Sequence, residues 1–195
     1  MALASANLVA LSGPWFRCID HDYLTRPPPT SPSAGKPEPL WPGGAKAFGG
    51  RFTPKGSFDT LYLSSESDTA LLEVETIFKT PKGAIVPGNK NPVTIVQVLG
   101  TLTAVLDLTD SQNAKHLKTD ESELTGPWRT ITDPLTHRLG RAAEASGRIL
   151  ALKSFSAKNK HEGTIVAVFT DHLMRHGPSF VEVVDSTGKL NQRLP

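Results

Sequence analysis

A chain of 195 residues with 38% hydrophobic and 21% charged side chains is long enough for one globular core and too apolar for global disorder. Its net charge of +2, with basic residues scattered and no run of five like charges, excludes the clustered basic stripe expected of direct nucleic-acid binding. A single cysteine, Cys18, excludes an intrachain disulfide and a cysteine-rich zinc site, and no apolar run approaches the ~20 residues that span a bilayer.

The first eleven residues are apolar but lack the lysine or arginine of a signal-peptide n-region. A soluble, cytoplasmic protein with no membrane partner is therefore expected, folding as a single domain with its core over about residues 14–185. Trp15–Ile19 reads as a short strand and the first element of that fold. The stretch from Thr25 to Gly50 is the most irregular. Seven of the sixteen prolines fall between Pro27 and Pro42, so neither a helix nor a central strand is expected there. Leu61–Ser65 alternates, with Leu61 and Leu63 on one face and Tyr62 and Ser64 on the other. A helix is predicted from Ser67 to Lys79, where Ala70, Leu71, Val74, Ile77 and Phe78 form one apolar stripe bordered by Glu73 and Glu75.

Two further strands, Val93–Leu99 and Thr103–Leu108, flank Gly100. A second helix starts near Asp133, with Pro134 in its first turn, and stops at Gly147. Ile149–Phe155 and Thr164–Phe169 read as strands, Asp171–His176 as a short helix, and Phe180–Asp185 as the strand that closes the sheet. Strands dominate without a regular β-α-β rhythm, which points to an α+β fold.

Four polar side chains in Gly49–Glu75 stand out. Arg51 follows two glycines, where backbone can approach a ligand closely. Tyr62 and Ser64 share a strand face, and Glu73 rides at the border of the next helix. An arginine suits a phosphate, a tyrosine a flat ring, and a glutamate a cationic sugar. Those parts would hold a dinucleotide and cleave an N-glycosidic bond. On the residues alone a plainer reading stays open, with Tyr62 and Ser64 facing solvent and Arg51 and Glu73 forming a surface pair. Other signals are weaker. Gly44 to Gly49 has P-loop spacing, but Gly50 stands where lysine is required. His172 and His176 lie four apart with no third ligand, so helix-end histidines are expected and no metal.

The string Gly49-Gly50-Arg51-Phe52, Pro54, Gly56, Leu61-Tyr62-Leu63-Ser64 and Ala70-Leu71-Leu72-Glu73 resembles the hallmark of the RES-domain family. Arg17, after Trp15-Phe16, is similar to the family's early arginine. Trp128 and Thr136-His137-Arg138-Leu139-Gly140 resemble its tryptophan and its threonine–glutamine–x–x–glycine helix, with His137 where glutamine is usual. Phe155-Ser156-Ala157 resembles the step that supplies its active-site serine, with Ser154 as the fallback. The resemblance implies a fold like diphtheria-type ADP-ribosyltransferases, a split, mostly antiparallel sheet with flanking helices.

It also implies an enzyme acting on NAD, with Arg51, Glu73, Tyr62 and Ser156 catalytic and Arg17, Arg51, Tyr62 and Ser64 binding the dinucleotide. Relatives cleave the nicotinamide–ribose bond with water or phosphate, and at least some transfer ADP-ribose to a protein. A third alternative is an interaction protein that keeps the fold without the chemistry. By family alone, the partner is an Xre-like helix-turn-helix antitoxin, with no nucleic acid bound directly. A homodimer stays open.

Overall fold

Strand-forming runs from both ends of the chain meet on one central strand. The computed structural model describes residues 3–25, 36–88, 91–160 and 162–195. A short 3-10 turn leads into β1 (Leu8–Ser12) and β2 (Trp15–Asp20), then α1 (His21–Thr25), α2 (Gly43–Phe48), β3 (Thr60–Ser64) and α3 (Ser67–Glu73). A small ribbon, β4 (Ile77–Lys79) with β5 (Ile85–Pro87), precedes the long β6 (Val93–Asp107). There follow α4 (Ser111–Leu117), α5 (Glu121–Thr125), α6 (Leu135–Ala145), β7 (Ala151–Phe155), β8 (Thr164–Phe169), a 3-10 segment at Thr170–Arg175, β9 (Phe180–Val183) and β10 (Gln192–Leu194). No helix among the described residues is long and apolar enough to cross a membrane.

The main sheet runs β10-β9-β6-β2-β3-β8-β7, with β1 also paired to β6. Its two halves meet along β6. Val93–Val98 of that strand pairs with β2, and Val105–Asp107 pairs in parallel with β7. Hydrogen-bonded neighbours β6, β2, β3, β8 and β7 therefore form a closed ring, and the pairings other than β6–β7 are antiparallel. This is the mostly antiparallel α+β arrangement that the sequence implies.

Alternation on β3 and β8 feeds two cores. Leu61, Leu63, Val166 and Val168 join Trp15, Val96 and Val98 in one. Ile165, Ala167, Phe169 and Leu152 face the other way, where Tyr62, Phe52, Leu124 of α5 and Leu139 and Ala143 of α6 cover them. The Tyr62 face is thus packed rather than solvated, and Ser64 is only 5% exposed.

Several boundaries differ from expectation. The first strand is β1, ahead of Trp15, held at the edge of β6 with only partial burial. The proline-rich stretch lies partly outside the described residues, at 26–35, but its proline-free end forms α2 directly after Pro42. The helix from Ser67 ends at Glu73 instead of Lys79. Glu75 takes φ 59, and residues 77–79 become β4. Val74, Thr76 and Ile77 are β-branched, and their stiff side chains favour the extended ribbon over a further helical turn. The expected stripe is broken accordingly: Ala70 and Leu72 are buried, while Val74 and Phe78 are 42% and 44% exposed.

The strands about Gly100 are one continuous strand, and Pro134 caps α6 rather than starting it. The short helix expected at Asp171–His176 is a 3-10 segment at Thr170–Arg175, and β10 adds a further strand outside β9. Helices α4 and α5 escaped the hydrophobic pattern, although Asp110 and Asp120 cap them through their carboxylates.

Truncation should separate the two apolar sets. Leu139→Ala, in a fully buried site on α6, should cost ~2–5 kcal/mol in urea unfolding. Phe78→Ser should move the midpoint by no more than about 0.5 kcal/mol, since its ring is on the surface. Equal losses at both positions would restore the longer helix.

Candidate active site

Arg51 is presented by a tight turn. Gly50 and Thr53 exchange backbone hydrogen bonds at 2.8 and 3.1 Å. The Phe52 amide donates to the Tyr62 hydroxyl at 2.8 Å. Thr53 gives its only hydroxyl proton to Thr60 Oγ1, so at the 3.0 Å contact Tyr62 is the donor to Thr53. The Tyr62 hydroxyl is therefore committed to the turn. Burial pushes its pKa up to about 12, with the Thr53 and Phe52 hydrogen bonds opposing. A Cβ on Gly50 would come within 2.7 Å of that hydroxyl, so glycine is needed there.

Helix α6 clamps the same turn from the other side. His137 donates from Nε2 to the Gly50 carbonyl at 3.0 Å, with the Trp128 ring packed on it at a centroid distance of 5.3 Å. A Cβ at Gly140 would lie 1.7 Å from the Phe52 carbonyl oxygen. These contacts explain why a histidine can stand where the resembling family usually has glutamine. Both side chains supply an N–H donor at about that reach.

The guanidinium of Arg51 donates from Nη1 to the carbonyls of Leu124 and Gly126, both at 2.9 Å. Burial lowers its pKa, and the facing Glu73 carboxylate opposes that shift. Arg17, on β2, donates from Nη2 to the Trp41 carbonyl at 2.7 Å. Its Nη1 is shut off from solvent and has no hydrogen-bond partner among the described residues. Burial draws this guanidinium down to about 10, so it stays charged at neutral pH.

Glu73 is the last residue of α3. Its Oε1 accepts a 2.6 Å hydrogen bond from Ser156 Oγ, just beyond β7. The surface pair with Arg51 does not form: each charge is held by a neutral group instead. Ser156 is fully buried, and its oxygen also accepts from the Lys158 and Asn159 amides at 3.2 and 2.9 Å. Expected to touch substrate, Ser156 here faces Glu73, because the turn at 156–159 encloses its hydroxyl. Asn159, which the sequence reading passed over, donates to Thr69 of α3 at 2.9 Å and makes a second tie to the same helix. Ser154 is buried one row inward, level with Ile165 and Ser64, and its hydroxyl lacks a partner. Ser64 forms part of the wall.

Arg17, Arg51, Tyr62, Ser64 and Glu73 line one cleft of about 600 Å³, within the range of small-molecule sites. Five cationic side chains, Arg17, Arg51, Arg129, Lys158 and Lys160, line it against two carboxylates, Glu73 and Glu75. That surplus of three suits an anionic ligand. Arg129 lies over the Trp128 ring, 5.2 Å from its centroid, and Lys158 pairs with Glu75 at 2.9 Å, which holds the Glu75 carboxyl below its usual range. Arg129, Lys158 and Lys160 carried no local signal in the sequence. The paired histidines bond to the segment between α6 and β7: His172 donates to the Ile149 carbonyl and His176 to that of Gly147, both at 3.1 Å.

Residues 14–185 match the family model described as RES domain. Among solved structures, the chain is similar to one of the M. tuberculosis MbcT–MbcA toxin–antitoxin complex. The identity is 19% and the TM-score 0.61, over 91% of this chain and 84% of that one, a likeness of fold. No curated protein matches the chain.

The clamp on the turn gives a test with an unusual sign. On helix propensity alone Gly140→Ala should stabilise α6 by ~1 kcal/mol. Against the Phe52 carbonyl it should instead destabilise the protein by ~1–3 kcal/mol in urea unfolding. His137→Gln, which keeps a donor, should stay within about 1 kcal/mol of the parent. A stabilised Gly140→Ala protein would show that α6 does not grip the turn.

Proposed function

The chain belongs to the RES domain family, and on that premise we propose that it is an NAD-consuming toxin that cleaves the bond between nicotinamide and ribose. The observation that carries the reading is Glu73, a carboxylate with no cation bonded to it among the described residues, aimed by the buried Ser156 in a cleft rich in cations. A dinucleotide needs both signs of charge. Its diphosphate would lie against Arg51 and Arg17, whose carbonyl partners orient each guanidinium without neutralising it. Its nicotinamide ribose would lie at Glu73, with the Tyr62 ring as a wall.

In the reaction, the C–N bond breaks and nicotinamide leaves with the bonding pair, so the pyridinium charge passes to the ribose as an oxocarbenium ion. Glu73 stabilises that cation where it develops. Water then adds to the ribose carbon and loses a proton, which yields ADP-ribose, nicotinamide and a proton. Phosphate in place of water yields the ribosyl phosphate. Ser156 donates to Glu73 throughout and keeps the carboxylate in place. A cognate antitoxin with a helix-turn-helix region, like the one implied by the family, would be the natural partner of such an enzyme.

The test is incubation of the pure protein with NAD, with and without phosphate, and separation of the products. Free nicotinamide with ADP-ribose or its phosphate is the expected result. Label moving from NAD to a protein band instead would replace the small acceptor by a protein one. Glu73→Gln should lower turnover ~100-fold or more while NAD still binds, because the amide keeps the shape and removes the charge. Ser156→Ala should lower kcat ~10-fold with little change in KM, the signature of a group that acts through Glu73. Normal turnover in a folded Glu73→Gln protein would end the assignment. Expressed without an antitoxin, the protein should arrest bacterial growth as cellular NAD falls; arrest at constant NAD would sink the toxin mechanism.

A further inference from the structure

Beside the main cleft lies a second cavity of about 250 Å³. It falls below the ~300–1,000 Å³ of sites that enclose a whole ligand, so it is sized for part of one. The two cavities are contiguous: Arg17, Cys18, Gly44 and Val74 line both. Their walls differ in kind. The main cleft has its surplus of cations, whereas the second is walled by Tyr23, Trp41 and Phe48, with Arg17 as its cation and the carboxylates of Asp20 and Glu38 at its margin. Tyr23 and Trp41 have ring centroids 6.1 Å apart, inclined at 37°, and Phe48 is 70% exposed. The Trp41 indole is seated against the Gly43 backbone, and its carbonyl holds Arg17. Aromatic walls favour a flat ring. The carboxylates repel a phosphate, which leaves the ring as the part of the ligand that fits.

Arg17 stands at the junction with its Nη1 buried and unpartnered. A cation there, an aromatic chamber on one side and a carboxylate on the other reproduce the order of a dinucleotide: ring, diphosphate, reacting sugar. Glu73 lines the main cleft and not the second cavity, so the reacting end cannot be the one in the chamber. We infer that the second cavity is a purine subsite, in which the adenine ring of the dinucleotide rests on Trp41 while its phosphates meet Arg17. The inference rests on the NAD reading and adds the location of the end that does not react.

Two probes divide the substrate at its diphosphate: AMP carries the purine half, and nicotinamide mononucleotide the scissile bond. Calorimetry on the wild-type protein should show that AMP binds equally well with and without saturating nicotinamide mononucleotide, and AMP should inhibit NAD turnover competitively. Trp41→Ala should weaken AMP binding about tenfold and raise KM for NAD about tenfold more than KM for the mononucleotide, with Trp41→Phe restoring most of both. Mutual exclusion of the two probes, or equal KM shifts for the two substrates, would overturn the subsite even if NAD is cleaved. Trp41-dependent AMP binding in a protein that never cleaves NAD would keep the subsite and remove the NAD-cleavage reading. Should Trp41→Ala fail to fold, the two-probe measurement on wild type decides alone.

Discussion

Three charged groups of the cleft, Arg17, Arg51 and Glu73, are held by neutral partners, and the rest of the architecture serves that condition. Arg51 bonds to two carbonyls, Arg17 to one, and Glu73 to a hydroxyl. A direct Arg51–Glu73 pair would satisfy both groups and leave little field for a ligand to feel. Carbonyl and hydroxyl partners fix direction without cancelling charge, so positive and negative regions coexist in one cavity. Electrostatic preorganisation of this kind is worth most where water is excluded and the dipoles cannot relax.

Keeping opposite charges apart requires rigid separation, and the sheet supplies it. Strands β3 and β7 both run antiparallel to β8, so they are parallel to one another and their C-terminal ends emerge on the same edge. Glu73 follows β3 by way of α3, Ser156 follows β7 directly, and their hydrogen bond spans that edge. Arg17 comes from β2, on the opposite flank of β3, where Phe16 pairs with Ser64. Arg51 hangs from a turn fastened to β3 through Tyr62 and to α6 through His137 and Gly140. Each charge is therefore anchored to a different strand or helix, and none can approach its opposite without breaking a backbone contact.

This division also explains which parts were legible in the sequence. The alternation of β3, the apolar run of β8 and the glycine pair before Arg51 are local patterns, and the structure places them close to where they were expected. The helix through Lys79 failed because Ile77 and Phe78 fall in helical phase with Ala70 while belonging to a strand; the β-branched residues Val74, Thr76 and Ile77 were the better guide. Ser156 was found as a residue but not as a direction, since its orientation depends on amides at 158 and 159 folding back over it. Arg129, Lys158, Lys160 and Trp41 were passed over because their relevance is topological. They reach the cavities from segments outside the Gly49–Glu75 motif, and no spacing within the chain announces that.

The same arrangement has an energetic consequence for the empty protein. A guanidinium with one nitrogen buried and unpartnered is desolvated without compensation, and its pKa falls accordingly. The sign is unfavourable to folding. Because the folded-state value lies below the ordinary one, the cost is complete at every pH below about 10 and shrinks only as pH rises beyond it. Ser154 and Asn159 add two more buried oxygens without partners behind the cleft. Three such defects near one cavity are tolerable because the two apolar cores on either face of the closed ring of strands supply stability elsewhere. An anion seated against Arg17 would offset part of this desolvation through its charge, so ligand binding and folding stability are coupled through the guanidinium.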